Sequence, residues 1–204
     1  MFFSLDGMDG VGKSTQLELF VDHLKAIGHD VVLCRDPGST QLGEAIRDIL
    51  LKRSETPISN TSEMLLYMAA RAQLVQQVIK PALAAGKTVV SDRYLLANVV
   101  YQAHAGDGDA ETVWQVGEVA TDGLMPDLTL VLDMAADVAG KRLGSELDRM
   151  ESRGDEYRGR LRAGFLAEAA RNPQRIEIVP AEGTIAEVHQ RIVEVTARYL
   201  ESTG

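Results

Sequence analysis

Gly7-Met8-Asp9-Gly10-Val11-Gly12-Lys13-Ser14 follows directly on a short apolar run, Met1 to Leu5. The pattern is G-x-x-x-x-G-K-[ST], set between a strand signal and a helical pattern from about Thr15 to Ala26. Glycines here let backbone N–H groups turn inward around a phosphate chain, where side chains would obstruct. Lys13 supplies a mobile cation for the β- and γ-phosphates, and the Ser14 hydroxyl can ligate Mg²⁺. The helix that follows aims its positive N-terminal end at the same anion. Gly7, Met8, Asp9, Gly10, Val11, Gly12, Lys13, Ser14 and Thr15 are therefore the candidate nucleoside-triphosphate site. The bland alternative is a glycine-rich turn carrying a solvated lysine.

Such a loop alone does not separate kinases from GTPase switches or motor ATPases. Asp92-Arg93 follows the β-type run Thr88–Ser91, where a Walker B carboxylate would reach Mg²⁺. Asp133 closes another strand and competes with Asp92 for that role on pattern alone. Arg93 would bring a guanidinium to the transferring phosphoryl group, where bidentate contacts to phosphate oxygens are strong. Asp9 inside the loop costs repulsion among phosphates unless it orients an acceptor phosphate or a metal-bound water. Its bland alternative is a turn aspartate bonded to its own backbone. Lys141, Arg142, Arg149, Arg153, Arg158, Arg160 and Arg162 lie among acidic residues, with Gly144, Gly154, Gly159 and Gly164 between them. Glycine hinges with cations suit a lid, about residues 141–155, that closes over a triphosphate. A solvated, salt-bridged helix pair is the alternative.

These residues need a scaffold, and the chain offers one. Met1–Leu5, Val31–Cys34, Thr88–Ser91, Leu128–Leu132 and Ile176–Val179 read as strands separated by helical patterns. The order implies one α/β domain over 1–204, with a mostly parallel sheet covered on both faces. Gly28 stops the first helix, and Asn60 with Glu63 reads as a capping box opening a helix toward Ile79. Ligands of such sheets bind outside the carboxyl ends of the strands, at Asp6–Gly12, Arg35–Thr40, Asp92–Tyr94 and Asp133. The helix Ala186–Tyr199 packs on the sheet through Val188, Ile192, Val195 and Tyr199.

Bulk properties set outer limits. A hydrophobic share of 45% and a charged share of 25% are ordinary for a globular domain. The net charge of −9 argues against nucleic acid or anionic membrane as partner, though local arginines can still hold one phosphate. The lone Cys34 excludes an internal disulfide and reads as core. With neither a signal-peptide pattern nor a long apolar span, the expectation is a cytoplasmic enzyme. His23, His29, His104 and His189 show no ligand spacing and read as surface residues. Asp107, Asp109, Glu111 and Glu118 only loosely imitate a calcium loop, since Thr112 stands where glycine is needed. Trp114 reads as core or a subunit contact.

Several motifs together carry a resemblance. Asp9 within the phosphate loop, Arg35-Asp36-Pro37-Gly38-Ser39-Thr40, Leu66-Tyr67-Met68-Ala69-Ala70-Arg71-Ala72-Gln73, Ser91-Asp92-Arg93-Tyr94, Tyr101-Gln102 and Pro126 to Asp133 run in order through nearly the whole chain. The set resembles the thymidylate kinase family. The resemblance implies a P-loop nucleoside-monophosphate-kinase-like three-layer sandwich with a five-stranded parallel sheet and an Arg-rich lid. It implies transfer of the γ-phosphoryl of ATP, with Mg²⁺, onto dTMP, in a homodimer.

Residue roles follow from that resemblance. Arg71 would hydrogen-bond thymine and Tyr67, one turn earlier on the same face, would stack on it. Asn98 and Gln102 would address the base, and Tyr101 would crowd out a ribose 2′-hydroxyl. Asp9, Arg35 and Arg93 would surround the acceptor phosphate and sugar, with Arg47 a weaker candidate. Val11 leaves the phosphate loop with Lys13 alone, so the lid should contribute a cation: Arg149 first, Arg153 second, Arg142 also possible. Pro180–Gly183 would touch adenine. The catalytic set is thus Asp9, Lys13, Arg93, Arg149 and Arg153, with Ser14 and Asp92 toward the metal.

The chain departs from the family pattern in places. Ser39 replaces a usual glycine, which puts the local backbone geometry in question, and Ala97, Val100 and Ala103 change bulk beside the base. A kinase for another nucleoside monophosphate or a deoxynucleoside therefore stays open. So does a nucleotide-dependent switch, although no Asn-Lys-x-Asp stretch for guanine exists.

Overall fold

The computed structural model describes residues 1–52, 57–142 and 154–203. Five strands, β1 (Phe2–Gly7), β2 (Val31–Arg35), β3 (Thr88–Asp92), β4 (Leu128–Asp133) and β5 (Ile176–Pro180), form one sheet in the order β2-β3-β1-β4-β5. Every pairing is parallel. Each strand outruns its apolar stretch at the carboxyl end, because the ladder continues whatever the side chain. Leu5 lies opposite Asp92, Arg35 opposite Asp92 and Asp133 opposite Pro180. The sheet thereby delivers polar side chains to its carboxyl edge.

Nine described helices flank it: α1 (Lys13–Ala26), α2 (Gln41–Leu51), α3 (Asn60–Leu74), α4 (Lys80–Ala84), α5 (Leu95–Asn98), α6 (Ala110–Thr121), α7 (Ala136–Lys141), α8 (Asp155–Arg171) and α9 (Ile185–Thr203). Alternation along β1 divides the core. Phe3 meets Phe20 edge-on at 5.6 Å on one face, and Phe2 meets Tyr94 edge-on at 5.0 Å on the other. Leu5, Leu24, Phe165 and Ile192 join the first layer; Met68, Leu74, Val89 and Val113 join the second. Fully buried side chains of this size contribute roughly 1.5–3 kcal/mol each.

Some local expectations change. Ser59, not Asn60, caps α3, its hydroxyl accepting from the Ser62 amide at 3.2 Å. Glu63 lies in the first turn of α3 and is buried. The helix toward Ile79 is interrupted after Leu74 by a π-helical turn, Val75–Ile79, and a second one, Val99–His104, continues α5. The histidines are half-buried rather than solvated. His104 Nε2 meets the buried Glu168 at 2.7 Å, and Trp114 Nε1 donates to the same carboxylate at 3.1 Å. Ser39 adopts the left-handed backbone (φ 60°) that a glycine would supply, so the turn keeps its course. Its hydroxyl accepts from the Arg35 amide at 2.8 Å.

Cys34 is buried, and burial pushes its thiol up to about 12. No helix among the described residues is long and apolar enough to cross a membrane.

Candidate active site

Gly7, Gly10 and Gly12 all hold positive φ, at 130°, 84° and 95°. A Cβ on Gly7 would lie 2.5 Å from the Leu132 carbonyl oxygen, and one on Gly10 would lie 2.2 Å from that of Ala139. Space around Gly12 is open; it is needed for its backbone alone. Helix α1 starts there with no side-chain cap and no acidic residue in its first turn. By contrast α2, α3 and α6 are capped by Thr40, Ser59 and Asp109. The bare N–H groups at the start of α1 suit an anion.

Lys13 turns back over the loop, its Nζ donating to the Met8 carbonyl at 2.6 Å and to Asp9 Oδ1 at 3.3 Å. Burial, then repulsion from Arg93, lowers its pKa, and Asp9 pulls the other way. Arg93 donates to the Gly7 carbonyl at 2.9 Å and also to Asp9 Oδ1. Its own backbone is left-handed (φ 66°), held by the Ser91 hydroxyl on its carbonyl at 2.6 Å. Strain of this kind clusters at functional sites. Burial opposes ionisation of Asp9, yet Arg93 and Lys13 together override it and hold the carboxyl well below the usual range.

Asp92 and Asp133 are separated by their partners. Arg162 binds Asp133 through two bonds of 2.8 Å, one to each oxygen. Asp92 closes β3 within the fields of Lys13 and Arg93. Asp6, at the strand end to which the parallel-sheet rule points, is fully buried on β1, and burial pushes it up to about 7 against Arg93 and Lys13. Its Oδ1 has no hydrogen-bond partner among the described residues.

Across the edge lies a pocket of about 550 Å³, counting its mouth, lined among others by Asp9, Asp36, Arg47, Arg71, Asn98 and Gln102. Tyr67, Arg93 and Tyr101 also line it. The expected base-facing and sugar-facing residues are thus brought together. Arg35 is not among them: its guanidinium is exposed and bound to Glu44 at 3.0 Å. Arg47, the weaker candidate of the two, does line the pocket and donates to the Pro37 carbonyl at 3.0 Å. Arg149 and Arg153 lie outside the described residues, as does most of the expected lid. Arg142 is described and exposed.

Arg71 is almost fully buried and gives its Nε to Asp36 Oδ2 at 2.5 Å. Its guanidinium lies 5.4 Å from the Tyr94 ring centroid. Asp36 follows β2 directly, so the strand-end rule pointed to it, although no role was read there. Glu63 carried a signal too: Glu63, Tyr67 and Arg71 recur every fourth residue on one helix face.

The thymidylate kinase family model matches residues 5–192. The chain belongs to the thymidylate kinase family. A thymidylate kinase of Rhodopirellula baltica is 45% identical over 94% of this chain and 78% of its own length. One from an Exiguobacterium species is 39% identical over 100% of this chain and 97% of its own. The crystal structure of thymidylate kinase from Ehrlichia chaffeensis superposes with a TM-score of 0.78 at 30% identity, covering 96% of this chain and 98% of that one. The five-stranded parallel sheet with its phosphate loop is thus a thymidylate kinase fold, and the enzyme class is that of a nucleoside monophosphate kinase.

Proposed function

We propose that this thymidylate kinase family member transfers the γ-phosphoryl of ATP, with Mg²⁺, onto dTMP to give dTDP. One observation carries the reading: Arg93 and Asp9 belong to the phosphate loop's own bonds and to the lining of the second pocket at once. A donor and an acceptor phosphate would meet there.

The loop amides and Lys13 hold the triphosphate, and Arg93 neutralises charge on the group in transfer. Arg149 or Arg153 supplies the closing cation. The acceptor phosphate is already an anionic nucleophile, so catalysis rests on alignment and charge stabilisation rather than on a base. Arg47 and Arg93 steer the acceptor phosphate, with Arg35 an outer cation. Tyr67 stacks on the base, and Tyr101 excludes a 2′-hydroxyl. Arg71 donates to the O4 edge of thymine, where the amino group of cytosine would oppose it.

Ser14 and Asp92 fit a magnesium ion. Asp6, within the field of Asp92, keeps a buried Oδ1 with no hydrogen-bond partner among the described residues, an acceptor of the kind the ion's water shell would take. The ion supplies neutralisation of the β- and γ-phosphate charge. Exposed Leu42 and Ile49 on α2, Leu65 on α3 and Val119 on α6 support a homodimer. A net charge of −9 and a single buried cysteine support a cytoplasmic enzyme without a nucleic-acid partner.

Incubation with γ-labelled ATP, Mg²⁺ and dTMP tests the reaction. Labelled dTDP is expected from the native chain, with Lys13→Ala and Arg93→Ala slowed by about 10²-fold or more. Release of inorganic phosphate without labelled dTDP would contradict it and favour a switch-type NTPase.

A further inference from the structure

Glu63 lies two helical turns before Arg71 and is 2% exposed. It accepts Gln102 Nε2 at 2.8 Å, and Gln102 Oε1 in turn accepts Asn98 Nδ2 at 2.7 Å. A carboxylate only accepts. Gln102 must therefore give its NH₂ group to Glu63 and turn its carbonyl to Asn98. Asn98 must then spend an N–H on Gln102. The one atom of the Asn98 amide without a hydrogen-bond partner among the described residues is Oδ1, a buried acceptor. All of these side chains are buried, so reversing either amide would set like against like in a water-poor site.

We propose that Glu63 is a positioning residue for base selection. It fixes the polarity of the Gln102–Asn98 pair so that the pocket presents an acceptor to ring N3 and selects pyrimidines carrying a proton there. The inference rests on reading the pocket as a pyrimidine-monophosphate site. Thymine and uracil carry N3–H; neutral cytosine offers a lone pair, which would face Asn98 Oδ1 acceptor to acceptor. Asp36, which also lines the pocket, likewise keeps a buried carboxylate oxygen without a hydrogen-bond partner among the described residues. Glu63 itself is not in the pocket lining and acts through Gln102.

Glu63→Gln keeps the shape and removes the constraint. A glutamine at 63 can donate as well as accept, so Gln102 can reverse and Asn98 can turn an N–H toward a cytosine ring. Glu63→Asp keeps an acceptor-only group. The double variant Glu63→Gln/Gln102→Glu moves that group to position 102, which again forces Asn98 to donate Nδ2 and keep Oδ1 for the substrate.

The test is the ratio of kcat/KM for dTMP over dCMP in the native chain and these three variants. In Glu63→Gln the ratio should fall roughly tenfold, the worth of one mispaired buried hydrogen bond. The KM for dTMP should rise while the KM for ATP stays put. Glu63→Asp and the double variant should recover the ratio even where turnover is reduced. An unchanged ratio in Glu63→Gln, or equal loss in all three variants, would reduce Glu63 to packing and overturn the proposal. A native chain that does not phosphorylate dTMP would instead overturn the assigned reaction and this inference together.

Discussion

The Tyr101 hydroxyl donates to Asp9 Oδ2 at 3.0 Å, while the other oxygen of that carboxylate takes Arg93 and Lys13. The Arg93 guanidinium also lies 5.1 Å from the Tyr101 ring centroid. One phosphate-loop carboxylate thus sets the position of a strand-end arginine and of an aromatic ring in the pocket lining.

Tyr101→Phe keeps the ring and the cation above it and loses a single hydrogen bond. Its kcat/KM for dTMP should drop by about tenfold or less, with selection against the ribonucleotide unchanged. Tyr101→Ala should admit the ribose form. Comparing dTMP with its ribose counterpart in both variants checks this; loss of selection in Tyr101→Phe would show that the hydroxyl, not the ring, excludes the 2′-hydroxyl.

Asp9 also links charge to stability. Its folded pKa lies below the ordinary 3.8, because Arg93 and Lys13 outweigh burial. The unfolded chain therefore binds the proton more readily, and the ionised Asp9 contributes stability that is fully present above the unfolded value. That contribution declines as pH falls below about 4 toward the depressed folded value. Urea unfolding of the native chain and Asp9→Asn across pH 3 to 8 should show a constant gap above pH 5 that closes in acid. A gap that widened in acid would reverse the sign of the argument.

The fold was legible because its signals are local. Strand runs, the phosphate loop and the helix that follows announce themselves in consecutive residues, and Tyr67 and Arg71 share a face by spacing alone. The different surroundings of Arg35 and Arg47 depend on Glu44, which draws Arg35 away and is invisible until the turn after β2 is built. Asp133 competes with Asp92 on pattern alone, and the Arg162 that α8 brings onto it is not visible in that pattern. Glu63 was read as a cap because a capping pattern and a buried carboxylate share one sequence signature. Contacts between distant elements decided each of these cases.

Asp36 and Arg71 form a buried pair, and breaking one side leaves the other charge uncompensated. Asp36→Asn should cost about 3–5 kcal/mol of stability and raise the KM for dTMP more than the KM for ATP. Denaturant melts with parallel kinetics check both parts; equal changes in the two KM values would place Arg71 in general packing instead of base recognition.

Cys34 offers a probe of global opening. Its thiol is buried and pushed up to about 12, so the reactive thiolate is scarce and shielded at neutral pH. Thiol-reactive dye should label it at the rate of unfolding, rising steeply with denaturant. Prompt labelling of the native chain would mean that the edge strand β2 opens locally.

The most direct test is a coupled assay with ATP, Mg²⁺ and a panel of dTMP, UMP, CMP and dCMP. The account predicts the highest kcat/KM for dTMP, with the acceptor required for ATP turnover. A higher kcat/KM for a cytidine or uridine nucleotide, or ATP hydrolysis indifferent to every acceptor, would contradict it.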